Sequence, residues 1–196
     1  LRAYSLLSRD PHTQMFSVHR LVQAVLRDGM DADAEKQWKQ RVVMAVNEAR
    51  PDLDDVRQWD ACELWVPHAQ VCAIWIEQEQ MMTPEAAFLL NVAGYYLDDR
   101  ARYEDAEALY VRALSIREQV LGEEHADTAT SLNNLAEMYR KQGKHLEAEQ
   151  LCVRALVICE HVLGREHPST RLVRRNYVGL LRKMGRNKDA KRVEGS

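Results

Sequence analysis

No run of apolar residues in this chain approaches the length of a membrane span, and no signal-peptide pattern opens it. A helix needs about 20 consecutive apolar residues to cross a bilayer, so neither a span nor a leader is expected. No charge of one sign dominates either: the net charge is −3, which gives no overall electrostatic case for nucleic acid. Cysteine is sparse. The four present (Cys62, Cys72, Cys152 and Cys159) fall inside predicted helices without a metal-ligand rhythm. Buried free thiols in a reducing, cytoplasmic compartment are the simpler reading. There is no GxxxxGK[ST] loop to cradle phosphates, no recognisable nucleophile turn, and no acid pair set against a definable pocket. The expectation is a non-enzyme: no catalytic residues, no metal, no cofactor.

What the chain does have is a pattern written twice. Slid against itself by 42 positions, Leu90-Asn91 falls on Leu132-Asn133, Ala106-Glu107 on Ala148-Glu149, and Val111-Arg112-Ala113-Leu114 on Val153-Arg154-Ala155-Leu156. Val120-Leu121-Gly122 falls on Val162-Leu163-Gly164, and Glu124-His125 on Glu166-His167. A partial third copy shows Asn176, Met184-Gly185 and Asp189-Ala190. A period this long marks one supersecondary unit, stacked so that neighbours share a core.

The unit is two helices. Leu132, Leu135, Ala136 and Tyr139 recur at helical spacing until Gly143. Ala148, Leu151, Cys152, Ala155 and Leu156 then resume it until Gly164. Each set is one buried stripe, and the glycines stand where a helix end favours a left-handed residue. Small residues (Ala136, Ala148 and Ala155; Gly94, Ala106 and Ala113) lie where paired helices would cross closely. These positions resemble the tetratricopeptide repeat, and the lengthened second helix ending VLGxEH is similar to the kinesin light chain variety. The resemblance implies an all-α, right-handed tetratricopeptide α-solenoid over residues 83–196, with helix pairs at 84–122, 126–164 and 168–196. It implies a protein-interaction module without naming the partner.

The first thirty residues differ. Tyr4–Ser8 reads as a strand, Asp10-Pro11-His12-Thr13 as a turn, and Met15–Val18 as a return strand. Leu21, Val22, Val25 and Leu26 then share a helical face closed by Gly29. The words FSVHRLVQAVLRD resemble the last part of the regulatory winged helix in NB-ARC-type signalling ATPases. Residues 1–30 are read as that fragment. The family carries a Met-His-Asp motif here whose histidine touches bound ADP. Val18-His19-Arg20 matches at the histidine, while Arg20 stands where the family has the acid. The resemblance implies a nucleotide role for His19 in a full-length protein; otherwise His19 caps the helix beginning near Arg20.

Residues 31–82 read as irregular helices capping the solenoid. Asp31 or Asp33 can cap a helix to Ala49 whose face is Trp38, Val42, Ala45, Val46 and Ala49. Asp52–Asp55 is an acidic linker. Trp59, Cys62, Trp65 and Val66 form the next stripe, which Pro67 is expected to break or kink at roughly 3 kcal/mol. Core packing, rather than cofactor stacking, explains the tryptophans. Thr83-Pro84 reads as an N-cap followed by proline at the first helical position.

Candidate chemistry is thin. His125 and His167 each follow Gly-x-Glu, but one repeat's rise separates them, so the expected role is to close a loop and cap the next helix. Cys152, Cys159 and His161 share one helix without converging, so zinc is not expected.

A binding surface is easier to argue, because the first helix of each pair lines the concave wall of a stacked solenoid. Its outward positions are Asn91, Tyr95, Asp98 and Asp99, then Asn133, Glu137, Arg140 and Lys141, then Arg175, Gly179, Arg182 and Lys183. The groove is expected to run from acidic and aromatic to basic. Asn91 and Asn133 match by repeat, and a carboxamide can hold a peptide backbone by donating and accepting. The arginines and Lys183 suit an acidic or carboxylate-ended ligand; the plain alternative is a solvated face, where ion pairs are worth about 0–1 kcal/mol. The conclusion is a module for a protein or peptide partner, with neither nucleic acid nor membrane. The alternative is a relay segment of a larger nucleotide-dependent signalling ATPase. The chain, opening at Leu1, is read as a fragment. The cut third repeat is expected to expose Leu180, Leu181 and Val193, leaving the oligomeric state open.

Overall fold

The computed structural model describes residues 7–9, 16–18, 29–52 and 59–195. The chain divides into two compact units, Leu1–Val42 and Val43–Ser196. In the first, strands β1 (Leu7–Arg9) and β2 (Phe16–Val18) pair antiparallel, with Leu7 opposite Val18. The expected helix over Leu21–Leu26, the whole turn, and His19 lie outside the described residues. Helix α1 (Ala32–Glu48) starts in this unit. Asp31 caps it, its Oδ1 accepting from the Ala34 N–H at 2.7 Å.

The second unit is helical. It takes in the end of α1, α2 (Trp59–Gln78), and three pairs: α3 (Pro84–Asp99) with α4 (Tyr103–Val120), α5 (Ala126–Lys141) with α6 (His145–Leu163), and α7 (Pro168–Lys183) with α8 (Asn187–Gly195). The pairs fall where the period put them. Thr83 Oγ1 accepts from the Ala86 N–H at 3.2 Å, and Pro84 occupies the first turn, where its missing donor costs nothing. His125 and His167 do the same for α5 and α7: each Nδ1 accepts a backbone N–H, from Asp127 at 3.1 Å and Ser169 at 3.2 Å.

Close packing follows from the small residues. Ala106, Ala113, Ala136, Ala148 and Ala155 are all fully buried. A Cβ on Gly94 would lie 3.0 Å from Tyr110 Cδ1, so the glycine makes room for the Tyr110 ring. One repeat later the same two places hold Ala136 and Cys152, a larger residue facing a smaller one.

Three expectations are corrected. Pro67 does not break α2, which runs through it. Cys62, Trp65 and Val66 before it, and Ala69, Cys72 and Ile76 after it, are one continuous buried stripe, while Pro67 itself is exposed. Burying both halves against one core outweighs the single lost helical bond. The apolar face of α1 is also turned: Val43 is buried, Val42 and Val46 are half-buried, and Ala45 and Ala49 are exposed, as is Trp38 at 46%. Trp65 Nε1 donates to the Val46 carbonyl at 2.7 Å and holds that last stretch of α1. Finally, Leu180 and Leu181 are not exposed. Both are fully buried and Val193 is half-buried, because α8 folds back with Ala190 in the same core.

Candidate partner-binding groove

The first helices of the three pairs stand side by side, and polar side chains tie each to the next. Asn134 Nδ2 donates to Asn91 Oδ1 at 3.3 Å, and Asn176 Nδ2 donates to Asn133 Oδ1 at 3.1 Å. Lys141 Nζ donates to Asp98 Oδ2 at 2.8 Å. Each contact joins residues one repeat plus one position apart, so it recurs for the same geometric reason that the sequence does. Behind this row, Arg117 is buried and donates from Nη1 to the Asp127 carbonyl at 2.7 Å and to Ser131 Oγ at 2.8 Å. Burial pulls its guanidinium below the ordinary arginine range.

The expected groove residues do not share one environment. Asn91, Asn133 and Asp98 were expected to project outward. They are buried, at 8%, 5% and 4% exposure, because the adjacent repeat covers them to make these bonds. What each asparagine leaves available is its Nδ2, which has no partner among the described residues. Asp98 has one oxygen on Lys141, while Oδ1 is buried without a partner among the described residues. Burial raises its carboxyl above the usual range, and Lys141 only partly offsets this. Glu137 and Arg140 satisfy each other, at 2.8 Å between Oε2 and Nη2. Arg182 Nη2 is held by Glu194 at 2.8 Å, and Lys183 Nζ reaches the Arg140 carbonyl at 3.5 Å. Tyr95 is exposed at 40%, and Arg175 is exposed with no partner among the described residues.

A cavity of about 610 Å³ opens at the α3 end of this row, lined by Arg50, Asp52, Phe88, Asn91, Tyr95 and Asn134, among others. The Arg50 guanidinium lies 5.1 Å from the Phe88 ring centre. Phe88, Asn134 and Asn176 were not anticipated from sequence as residues of this wall, Asn176 being marked there only as a repeat position. Asn134 and Asn176 could have been, since they are related by the period, but helical spacing alone does not say which asparagine of an adjacent pair points sideways.

The second helices carry their own ladder. Arg154 Nη1 pairs with Glu118 at 2.7 Å, as Arg112 Nε pairs with Glu77 at 3.0 Å. Glu107 accepts from Tyr139 at 2.7 Å and pairs with Lys144 at 3.2 Å. Glu149 accepts from Tyr177 at 3.2 Å and pairs with Arg186 at 2.6 Å. Burial and Glu107 push the Tyr139 hydroxyl up to about 12. Cys152 and Cys159 are buried free thiols, and burial pushes Cys152 up to about 12, so it is protonated at neutral pH. His161 sits apart from them on the surface. No described helix is long and apolar enough to cross a membrane.

Helix pairs stacked with a fixed offset define an α-solenoid. Residues 87–127 and 128–169 each match the tetratricopeptide repeat family model, so this stretch of the chain is tetratricopeptide repeat. The fold agrees with solved helical repeats. The crystal structure of BtubC (BKLC) from P. vanneervenii superposes with a TM-score of 0.62 at 19% identity, over 87% of this chain and 75% of that one. A Podosopora anserina protein of nearly identical TPR-like repeats, described as a kinesin light chain, gives 0.59 at 17% identity over 90% of each chain. In sequence, the chain is 28% identical over 134 residues to a nucleotide-binding leucine-rich repeat (NLR)-like protein of Hyaloscypha variabilis. That match takes in 68% of this chain but spans only 13% of the relative.

Proposed function

We propose that the row formed by α3, α5 and α7 binds an extended segment of a partner protein. The observation that carries this reading is the pair of Nδ2 donors on Asn91 and Asn133, one repeat apart and without a partner among the described residues, the first of them lining a cavity with Phe88 and Tyr95. An amide donor on each of two packed helices, about 8–10 Å apart, suits backbone carbonyls about three residues apart in an extended chain. The half-exposed rings suit one apolar side chain of the segment, as aromatic anchors do at interfaces. The basic end is narrower than its composition suggests, because Arg140 and Arg182 are neutralised; Arg175 and Lys183 are the cations that would meet an acidic end of the ligand. A groove of this length buries up to about 800 Å² on its own side, the range of a standard specific contact. The test is affinity capture with the full-length protein, then calorimetry with the captured segment. Tyr95→Ala is expected to weaken binding about tenfold, the loss of one aromatic anchor. Undiminished affinity in Tyr95→Ala and Phe88→Ala together moves the site to another face.

The NLR-like relative favours a second, compatible reading: that the repeats are the sensor region of a larger nucleotide-dependent signalling protein. There His19 would contact the nucleotide phosphate, and the partner would bias the nucleotide state. Full-length protein with His19→Ala is expected to lose bound ADP faster than the parent. Equal ADP retention in the two proteins removes His19 from that role.

A further inference from the structure

The fifth residue of each first helix is Phe88 in α3, Thr130 in α5 and Leu172 in α7. All three are exposed: Phe88 at 37%, although Arg50 lies over its ring, Thr130, and Leu172 at 42%. Phe88 and Thr130 each have a further helix pair stacked beyond them and stay exposed. A following storey therefore does not cover this position, and the exposure of Leu172 does not depend on what comes after α8. Thr130 Oγ1 donates back to the Ala126 carbonyl at 3.2 Å, so its one donor is engaged within its own helix. The three side chains make a largely apolar stripe across the first helices. It runs one helical turn from the asparagine row, since Asn91 and Asn133 stand three residues further along the same helices.

Two rows of different chemistry, one turn apart, fix what can lie along them. The amide row needs carbonyl acceptors. An extended segment has them to give, whereas a helix has already committed its carbonyls to its own N–H groups. The middle storey calls for a neutral segment, because its charges answer one another: Glu137 holds Arg140 at 2.8 Å, and Lys141 holds Asp98 at 2.8 Å. The stripe sets the spacing. From Phe88 to Leu172 is two steps between packed helices, roughly 16–20 Å. Side chains on one side of an extended chain recur at every second residue, and six residues at about 3.3 Å each span about 20 Å.

We propose that the groove selects an extended, neutral segment with two apolar side chains six residues apart, one seated against Phe88 and the other against Leu172, while Asn91 and Asn133 hold its backbone. This rests on the groove reading above and adds to it a second anchor and a fixed spacing.

The probes are two labelled nine-residue peptides, blocked at both ends and of one composition: two leucines among serine, threonine and glutamine. In one the leucines are six residues apart; in the other they are five apart and so face opposite sides. Each is titrated with the 196-residue chain and followed by fluorescence anisotropy. The six-spaced peptide is expected to bind saturably and about tenfold tighter than its isomer, the gain of one apolar anchor. Leu172→Ala should erase that advantage and leave the five-spaced peptide as it was, while Leu172→Met should keep it. Phe88→Ala should weaken both peptides. Circular dichroism checks that each variant is folded. Equal affinity of the two isomers, or an advantage that survives Leu172→Ala, overturns the spacing; Phe88→Ala still weakening both peptides would then leave the groove itself standing. A parent that binds neither peptide, or Phe88→Ala without effect on either, overturns both readings. Tighter binding of a helical peptide with leucines eleven apart, which span a similar distance, overturns the extended form.

Discussion

Ala101 has φ of 56°, where the later repeats place Gly143 at 81° and Gly185 at 77°. All three close a first helix by the same pair of backbone bonds; in the first repeat these run from Ala101 to Asp98 at 3.0 Å and from Arg102 to Leu97 at 2.9 Å. The alanine Cβ costs roughly 1–2 kcal/mol there, partly offset by the extra unfolded-chain freedom that glycine brings. Ala101→Gly is therefore expected to raise the unfolding free energy by roughly 0.5–1 kcal/mol in urea melts. Gly94→Ala should do the opposite, losing about 1–3 kcal/mol to overpacking against Tyr110. The two sites should couple: Tyr110→Cys, itself costly through the cavity it leaves, should cost less in the Gly94→Ala background than alone, because it removes the overpacked ring. Asp98 gives a pH prediction with an unusual sign. Its carboxyl is raised in the fold, so between the raised value and the ordinary range near 4 the native state holds more protons than the unfolded chain. Its contribution to stability therefore improves as pH falls through that window. Thermal melts from neutral pH downward should show the parent gaining on Asp98→Asn, and parallel curves would contradict the assignment.

At the scale of the element, the histidine caps are the clearest case of a reading made from residues alone. Nothing but position, after Gly-x-Glu and ahead of a helical stripe, marked them. An Nδ1 acceptor on a free N–H is worth about 1 kcal/mol. His125→Ala should lower stability by about that much, and His125→Asn, which keeps an acceptor at the cap, should recover most of it. The helix pairs were equally legible, since the period, the glycine stops and the small residues all agree on one answer. The misreadings have a common cause. The Pro67 break and the face of α1 follow from one helix in isolation, and the exposure of Leu180 and Leu181 from a third repeat read as cut. Each was decided by a neighbour: the core along α2, the Trp65 indole on Val46, and α8. The groove residues show the same limit. Spacing puts Asn91, Asn133 and Asp98 on matching faces of the first helices, but it does not say that the adjacent repeat would cover them.

Taken whole, the second unit is held by nearest-neighbour ties: carboxamides along the first helices, and ion pairs with tyrosines along the second. Stability in such a stack is a sum of repeat and interface terms, so the ends open first. Amide exchange is expected to be slowest in α5 and α6, which have a repeat on either side, and fastest in α8; uniform protection across all three pairs would contradict the additive picture. Chains built from near-copies carry a hazard of their own. A helix that meets the wrong copy of its partner finds an almost matching surface, and folding stalls one storey out of place. The Tyr110 ring is fitted to the bare backbone of Gly94, where a methyl would lie 3.0 Å from it, so setting that ring against Ala136, and the small Cys152 against Gly94, mismatches both storeys. A chimera that exchanges α4 with α6 should therefore refold poorly, although every residue in it is native to the fold.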